Sequence, residues 1–542
     1  MRRHTRAQKI QPKRESAVRQ SLLDKVVSYV NPEAGYRRLQ AKAFMAMTNG
    51  YLGSSNERGS LAYYKTSKGD ADADMLQDIE KNRQRCRHLV RNNPLAAGAI
   101  NTNVTNVVGT GLKLQSHINA EFLGMTDEKA AAWEKNAERE FRLWAESVEC
   151  DLERTLDFYD IQDICFRACL ESGDVFVILP MLERAGSDYQ TKLQIIEADR
   201  VSNPYSEMER PQFTRGVEKD GNGAPIRYHI MNYHPGAKGI RASTKWVPVE
   251  AFGKTSGRRN IIHLFAKKRP GQTRGVPYLA PVIEPLKQLG DYTEAEITAA
   301  VVSGLYAVFV QTPTGQGITP NLPKAEAQTR YEEESIPTSP GQILDLMPGE
   351  EVQFADPTRP NIAFDPFVMA VLRQIGVALE LPFEILIKHF TASYSAARAA
   401  MLEAWRYFMN RRAWLAKNLC QPVYEAWMWE AVSMGRIQAP GFFTDHAIRK
   451  AYLEAQWLGP ARGQIDELKE AKAARERIDI GITSIKEETA QMTGGDFETN
   501  LRQREKEVKM RREAGLEPEL PKPVETLPEP PANDDKGDLE NA

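Results

Sequence analysis

Apolar and polar positions follow three different patterns along this chain. Between residues 75 and 275, helix-like and strand-like stretches are mixed. Asn93-Pro94 followed by Leu95-Ala96-Ala97-Gly98-Ala99-Ile100 reads as a helix start, because proline's missing N–H costs nothing in a first turn. The run from Asp127 to Val148, carrying Trp133, Phe141 and Trp144, predicts another helix. Val175-Phe176-Val177-Ile178-Leu179, Leu193-Gln194-Ile195-Ile196 and Tyr228-His229-Ile230 predict strands. Gly216-Val217-Glu218 and Tyr228-His229-Ile230 flank the turn Asp220-Gly221-Asn222-Gly223, which predicts a hairpin.

The second pattern is a helix, an irregular segment and a helix. Pro281 to Val310 places Val282, Leu286, Leu289, Ala295, Ala299 and Val302 at helical spacing. At 1.5 Å per residue this predicts a rod of about 45 Å. Residues 311–360 hold Pro313, Pro320, Pro323, Pro337, Pro340, Pro348, Pro357 and Pro360, a density that forbids a long helix and favours short strands and turns. Asp365 to Leu381 returns to helical spacing, Pro382 breaks it, and Phe383 to Phe390 continues it. The third pattern is almost wholly helical. Ala396 to Met434 is apolar and Trp-rich, while Asp466 to Glu488 and Phe497 to Ala514 are charged and predicted to be exposed.

The two ends carry opposite charge. The first twenty residues set Arg2, Arg3, Arg6, Lys9, Lys13, Arg14 and Arg19 against Glu15, which predicts an unfolded basic arm. Residues 515–542 are acidic and proline-rich and are expected to stay unfolded. Over all 542 residues, 71 Lys and Arg offset 73 Asp and Glu, so a broad DNA-coating basic face is not expected. Five cysteines make no disulfide framework. The charge-free stretch Ile297–Val310 is too short to span a bilayer, and the basic start lacks the apolar core of a secretory signal.

Catalytic patterns fail individually. There is no His-Glu-x-x-His zinc pattern and no Gly-x-Ser-x-Gly elbow. Gly253-Lys254-Thr255 resembles the end of a phosphate loop, but Pro248 stands where the leading glycine is required. Cys165 and Cys169 share a helix face without a second pair or a nearby His, so they read as buried apolar residues. His229, His234 and His263 read as packing or surface residues, and Asp157, Asp160 and Asp163 as favourable charges at a helix start. No catalytic residue, metal set or cofactor is expected.

A specific resemblance runs from about residue 85 to 515. It is carried by Leu89-Val90-Arg91-Asn92-Asn93-Pro94-Leu95-Ala96-Ala97-Gly98-Ala99-Ile100, by Asn103-Val104-Thr105-Asn106-Val107-Val108-Gly109-Thr110-Gly111 and by Glu171-Ser172-Gly173-Asp174-Val175-Phe176-Val177. Gln194-Ile195-Ile196-Glu197-Ala198-Asp199-Arg200, Arg269-Pro270-Gly271-Gln272-Thr273-Arg274-Gly275-Val276-Pro277-Tyr278, Ser393-Tyr394-Ser395-Ala396-Ala397-Arg398-Ala399 and Trp457-Leu458-Gly459-Pro460 follow in order. In these the chain resembles the lambda-type portal proteins of tailed bacteriophages.

The resemblance implies an α+β portal fold: a mixed α/β wing, a two-helix stem, a small β-containing clip and a helical crown. The corresponding boundaries are a basic arm at 1–30, wing at 31–275, first stem helix at 276–310 and clip at 311–360. The second stem helix follows at 361–388, a tunnel loop and long wing helix at 389–435, crown at 436–514 and acidic tail at 515–542. It implies a virion component, assembled in the bacterial cytoplasm into a ring of about twelve copies at one capsid vertex. Double-stranded DNA would be packaged through the ring by a terminase and later ejected. The implied partners are the terminase large subunit, the major capsid protein or scaffold, and head-completion or tail-connector proteins. No membrane is implied.

The candidate tunnel loop is His389, Phe390, Thr391, Ala392, Ser393 and Tyr394, and Glu284, Asp291, Glu294 and Glu296 are the candidate channel-facing acids. Inward-facing acids would repel phosphate and let duplex slide, whereas lysines would grip it. Pairing of these acids with a neighbouring copy, or plain solvation, is the competing reading. A metal-dependent nuclease or a monomeric DNA-binding protein is the alternative function.

Overall fold

The computed structural model describes residues 21–48, 61, 63–237, 245–304, 308–311, 351–354, 364–390, 393–464 and 466–516. Internal packing separates Met1–Gly69 from Asp70–Ala542. In the first unit, α1 (Leu22–Val30) and α2 (Pro32–Thr48) are joined at Asn31. Ser21 and Asp24 cap α1 reciprocally, and Asp24 also pairs with Arg38 (3.0 Å) and Lys42 of α2. Residues 22–30 are thus helical although they lie inside the span expected as an unfolded arm: their apolar spacing and capping box outweigh the basic character of the first twenty residues.

The second unit opens with α3 (Ala71–Met75), α4 (Ile79–Asn92) and α5 (Pro94–Val107). Asn93 separates α4 from α5 because its side chain accepts the N–H groups of Leu95 (3.0 Å) and Ala96 (3.1 Å), and Pro94 fills the first turn. Then come β1 (Lys113–Ser116), α6 (Ala120–Leu123), α7 (Asp127–Ala145) and α8 (Phe158–Ser172), which is capped by Asp157. The strands β2 (Asp174–Ile178), β3 (Gln194–Glu197), β4 (Phe213–Thr214), β5 (Val217–Lys219), β6 (Pro225–Met231), β7 (Trp246–Glu250) and β8 (Ile261–Phe265) follow.

Among the described residues, β3-β2-β8 and β4-β5-β6-β7 form two antiparallel sheets. The continuous apolar run of β2 has a physical cause, because both its faces are covered. Val175 and Val177 enter the large helical core, and Phe176 enters a second core with Val217, Tyr228 and Ile230 of the other sheet. β8 alternates in the same way, Ile262 and Leu264 to one side and Ile261 to the other.

The remaining elements are α9 (Ile283–Gly304), β9 (Val308–Gln311), β10 (Glu351–Phe354), α10 (Phe364–Ala378), α11 (Phe383–Ile387) and α12 (Tyr394–Leu415). They are followed by α13 (Gln421–Ser433), α14 (His446–Leu453), β11 (Ala455–Leu458), α15 (Glu467–Asp479), α16 (Ile485–Thr493) and α17 (Phe497–Glu513). Three boundaries differ from the sequence pattern. α9 stops at Gly304, six residues before the expected end, and Val308-Phe309-Val310 pairs with β10. Glycine weakens a helix and β-branched residues suit a strand, so β9 goes with the segment after the rod. The apolar run 396–434 contains a π-helical segment at Ala416–Cys420. The charged run 466–488 divides at Gly481, whose φ of +74° ends α15, and Ser484 caps α16. The expected all-helical crown also supplies β11, which pairs with β1.

The large core is centred on aromatic rings from distant elements. Phe141 of α7 meets Phe158, Tyr424 and Trp427 edge-on at 5.9, 5.4 and 5.1 Å, and Trp427 is fully buried. Each such pair adds about 0.5–1.5 kcal/mol beyond burial. This explains the concentration of Trp in the helical third of the sequence: the rings close that core against α7 and α8.

Candidate functional site

The helix pair α9 and α10 has a buried base and an exposed upper part. Val282 just before α9, with Leu286 and Leu289 in it, is buried in the large core, as are Leu372, Ile375 and, just past α10, Leu379. Beyond Leu289 the two helices hold each other through rings: Tyr292 stacks on Phe364 at 5.5 Å and meets Phe367 edge-on at 5.2 Å. Ile297, Val301 and Phe367 remain more than half exposed, a costly arrangement for a lone chain in water.

The acids of α9 divide into two groups. At 100° per residue, Glu284, Lys287, Asp291 and Glu294 fall within an arc of about 80°. All four are exposed. Lys287 pairs with Asp291, and Gln288 donates to Glu284 at 3.1 Å. Glu296 sits on another face, toward the Tyr292 side, and is half-buried. The structure thus brings together three of the four expected acids.

The expected tunnel loop lies between α11 and α12. Pro382 starts α11, Lys388 ends it in the left-handed region at φ 55°, and the His389 N–H donates to the Glu384 carbonyl at 3.1 Å. Phe390 is 51% exposed. Thr391 and Ala392 lie outside the described residues. Ser393 precedes the first turn of α12, its carbonyl accepting from the Ala397 N–H at 2.9 Å, and Tyr394 is the first residue of that helix.

The family-like motifs meet in two buried junctions that sequence reasoning did not anticipate. In the first, Asp174 at the head of β2 is fully buried. Its carboxylate accepts from Arg274 Nε (2.5 Å), Arg83 Nη2 (2.7 Å), His263 Nε2 (3.1 Å) and the Gly275 N–H (3.2 Å). Arg274 also donates to the carbonyls of Ala198, Val201 and Arg215. Burial alone would push the Asp174 carboxyl up, but the Arg274 and Arg83 guanidiniums and the His263 bond hold it far below the ordinary range. Gly173 and Gly275 are forced by the same junction: a Cβ on Gly275 would stand 1.9 Å from the Gly173 carbonyl oxygen.

In the second junction, buried Arg412 of α12 donates to the carbonyls of Val107 (3.2 Å) and Asn106 (2.9 Å), the C-terminal end of α5. That end carries partial negative charge, a fitting place for a cation. Burial still pulls the Arg412 guanidinium down to about 10. Gly459 lies against this guanidinium and Gly109 against Pro460, so side chains at either glycine would collide. Nearby, Arg398 of the central motif and Arg462 both pair with Glu470 of α15, at 2.9 and 2.8 Å. The signals in the sequence were isolated charges beside glycines within apolar runs. Which charges pair is not local information.

Among the described residues, no group of three or more His, Cys, Asp or Glu is placed to hold a metal, and no helix is long and apolar enough to cross a membrane. All five cysteines are buried and unpaired.

Comparison with known proteins places these features in a lineage. Residues 57–412 match the family model described as phage portal protein, lambda family. The chain is 26% identical to portal protein B of Escherichia phage lambda over 489 residues, 86% of this chain and 90% of that protein. It is 26% identical to the portal protein of Escherichia phage N15 over 483 residues, covering 85% and 90%. It is 23% identical to a probable portal protein of Halomonas phage phiHAP-1 over 433 residues, covering 78% and 79%. Among solved structures, the neck of an empty GTA particle aligns with a TM-score of 0.42 and 12% identity, over 74% of this chain and 92% of that one. The neck of a native GTA particle aligns at 0.41 with 12% identity, over 76% and 92%. With more than half its length matched by the family model, this chain belongs to the lambda family of phage portal proteins.

Proposed function

We propose that the chain works as a closed ring of about twelve copies that forms the DNA channel at one capsid vertex. The genome enters through this ring under the terminase and leaves through it at ejection, and the ring joins head to tail. The observation that carries this reading is the arrangement of the α9–α10 rod. Its base is anchored in the core, its upper part exposes Ile297, Val301 and Phe367, and one face carries Glu284, Asp291 and Glu294 against Lys287 alone. In a ring, the apolar side chains would be covered by the neighbouring rod. The acidic face would turn to the channel, where two net negative charges per copy repel phosphate and prevent gripping. The segment 311–360, most of which lies outside the described residues, is assigned as the clip, which takes the terminase and later the head-completion proteins; the basic N-terminal arm, also outside the described residues over 1–20, meets the scaffold or capsid shell. The role is mechanical, and purified protein with Mg²⁺ or Mn²⁺ is expected to leave duplex DNA intact.

The test is packaging with the triple variant Glu284→Gln, Asp291→Asn, Glu294→Gln, and separately with Glu296→Gln. The triple variant should still form rings near twelve times the 61.0 kDa chain mass but should package more slowly and with greater salt sensitivity. Glu296→Gln should behave as wild type, because that residue is on another face. Normal packaging by the triple variant removes the assignment of the channel face.

A further inference from the structure

A cleft of about 690 Å³ opens beside the β4–β7 sheet, between the turn 220–223, β8 and the loop after it. Its chemistry is unlike that of the α9–α10 rod. Tyr228 lines it and is 4% exposed, and its hydroxyl has no hydrogen-bond partner among the described residues. The ring is held edge-on to His263 at 5.7 Å, while His263 itself is committed through Nε2 to Asp174. Meeting no protein acceptor among the described residues, the hydroxyl is left open to whatever enters the cleft.

Cations stand around it. Arg259 and Lys267 are exposed, and neither has a carboxylate within ion-pair distance among the described residues. Arg259 lies over the Phe252 ring at 4.9 Å, and its field reaches Tyr228 and Glu425. Lys219 donates to the Thr273 hydroxyl at 2.7 Å, with Asp72 at 3.6 Å. Asp220 is the one acid in the lining, and its Oδ1 is engaged by the N–H groups of Asn222 (2.9 Å) and Ala224 (2.8 Å). Side chains that can donate therefore line the cleft from the sheet, from the residues just before β8 and from the loop after it. A planar carboxylate has two oxygens and would meet some of them; a tetrahedral phosphate can accept from several directions at once.

We propose that this cleft binds a phosphate group, with Arg259 and Lys267 supplying charge, Tyr228 donating from the floor and Lys219 closing one side. The phosphate belongs either to a small molecule, free or on a nucleoside, or to a phosphodiester of duplex DNA lying against the protein. Isothermal titration of the full-length protein with inorganic phosphate, a nucleoside triphosphate and a short duplex separates these sources. At least one ligand should bind saturably. Arg259→Gln with Lys267→Gln should weaken that binding about tenfold or more, the loss expected for two charge-assisted contacts. Tyr228→Phe should weaken it several-fold with the melting temperature unchanged, because the hydroxyl has no internal partner to lose. Binding of free phosphate or nucleotide identifies a small-molecule site, and binding of duplex alone identifies a genome contact. The proposal is overturned if none of the three ligands binds, if the double variant binds as wild type, or if Tyr228→Phe lowers the melting temperature and leaves binding intact.

Discussion

Replacing Asp174 by Asn tests whether the junction of β2, α4 and the segment before α9 is an electrostatic unit. The substitution keeps the shape of the side chain and removes one buried negative charge that faces Arg274, Arg83 and His263. Losing one partner of a buried ion pair costs about 3–5 kcal/mol, because the remaining charge stays desolvated. Arg274 retains the carbonyls of Ala198, Val201 and Arg215, and Arg83 retains that of Ser172, so the lower end, about 3 kcal/mol, is expected. At about 1.4 kcal/mol per factor of ten, that is a rise of roughly two orders of magnitude in local opening. Hydrogen exchange of the β2 and β8 amides reads this directly. A second substitution, Arg274→Met, should recover part of the loss by removing the stranded charge. The pH dependence has a definite sign. The folded-state carboxyl is depressed, so its contribution is fully present above the unfolded value of about 3.9 and is lost as pH falls below it. Protection should therefore be flat from pH 8 to pH 5 in the wild type. An opening change below about 1 kcal/mol in Asp174→Asn, on the scale where breaking a buried pair costs several, would refute the reasoning.

Two more predictions concern packing and pH. Gly275→Ala places a methyl 1.9 Å from the Gly173 carbonyl and must shift backbone, so soluble yield and β2 protection should fall more than in Asp174→Asn. Glu138 of α7 accepts the Ser116 N–H at 2.9 Å in a groove it shares with Glu134, Asp496 and Glu498, and burial followed by repulsion from these acids pushes its carboxyl up to about 7. A raised folded-state value gives stability that is fully present below the unfolded value of about 4.3 and is lost as pH rises through about 7, so protection of the start of α17 should weaken between about pH 4.5 and pH 7 and level off above that. Glu138→Gln should remove that dependence and add about 1 kcal/mol at pH 8, a figure reduced from the full shift because the group is partly solvated.

Much of the architecture was legible from short-range pattern. The helix start at Asn93-Pro94 and the hairpin around Asp220–Gly223 appear where the sequence predicts them, the strand expected over Val175–Leu179 is found at Asp174–Ile178, and the helix expected to break at Pro382 ends at Ala378, with the next one starting after that proline. Each depends on a property a few residues long: a fixed φ, a capping side chain, a left-handed turn, or a short run of β-branched and aromatic residues. The candidate site was only partly legible. The sequence groups Glu284, Asp291, Glu294 and Glu296 as one set on this helix. Glu296 also reads as an acid of that helix, but its position toward the Tyr292 side sets it apart.

The sequence by itself marked the main helix starts, strand runs and breaks, and it placed acids on a rod flanked by proline-dense chain. Only the tertiary structure decided that Asp174 would neutralise Arg274 a hundred residues later, or that Arg412 would close the end of a helix some three hundred residues before it. Local pattern records what a few neighbouring residues prefer. A buried charge is stable only once distant segments have excluded water and supplied its partner, and that condition exists nowhere in the chain until the core has formed.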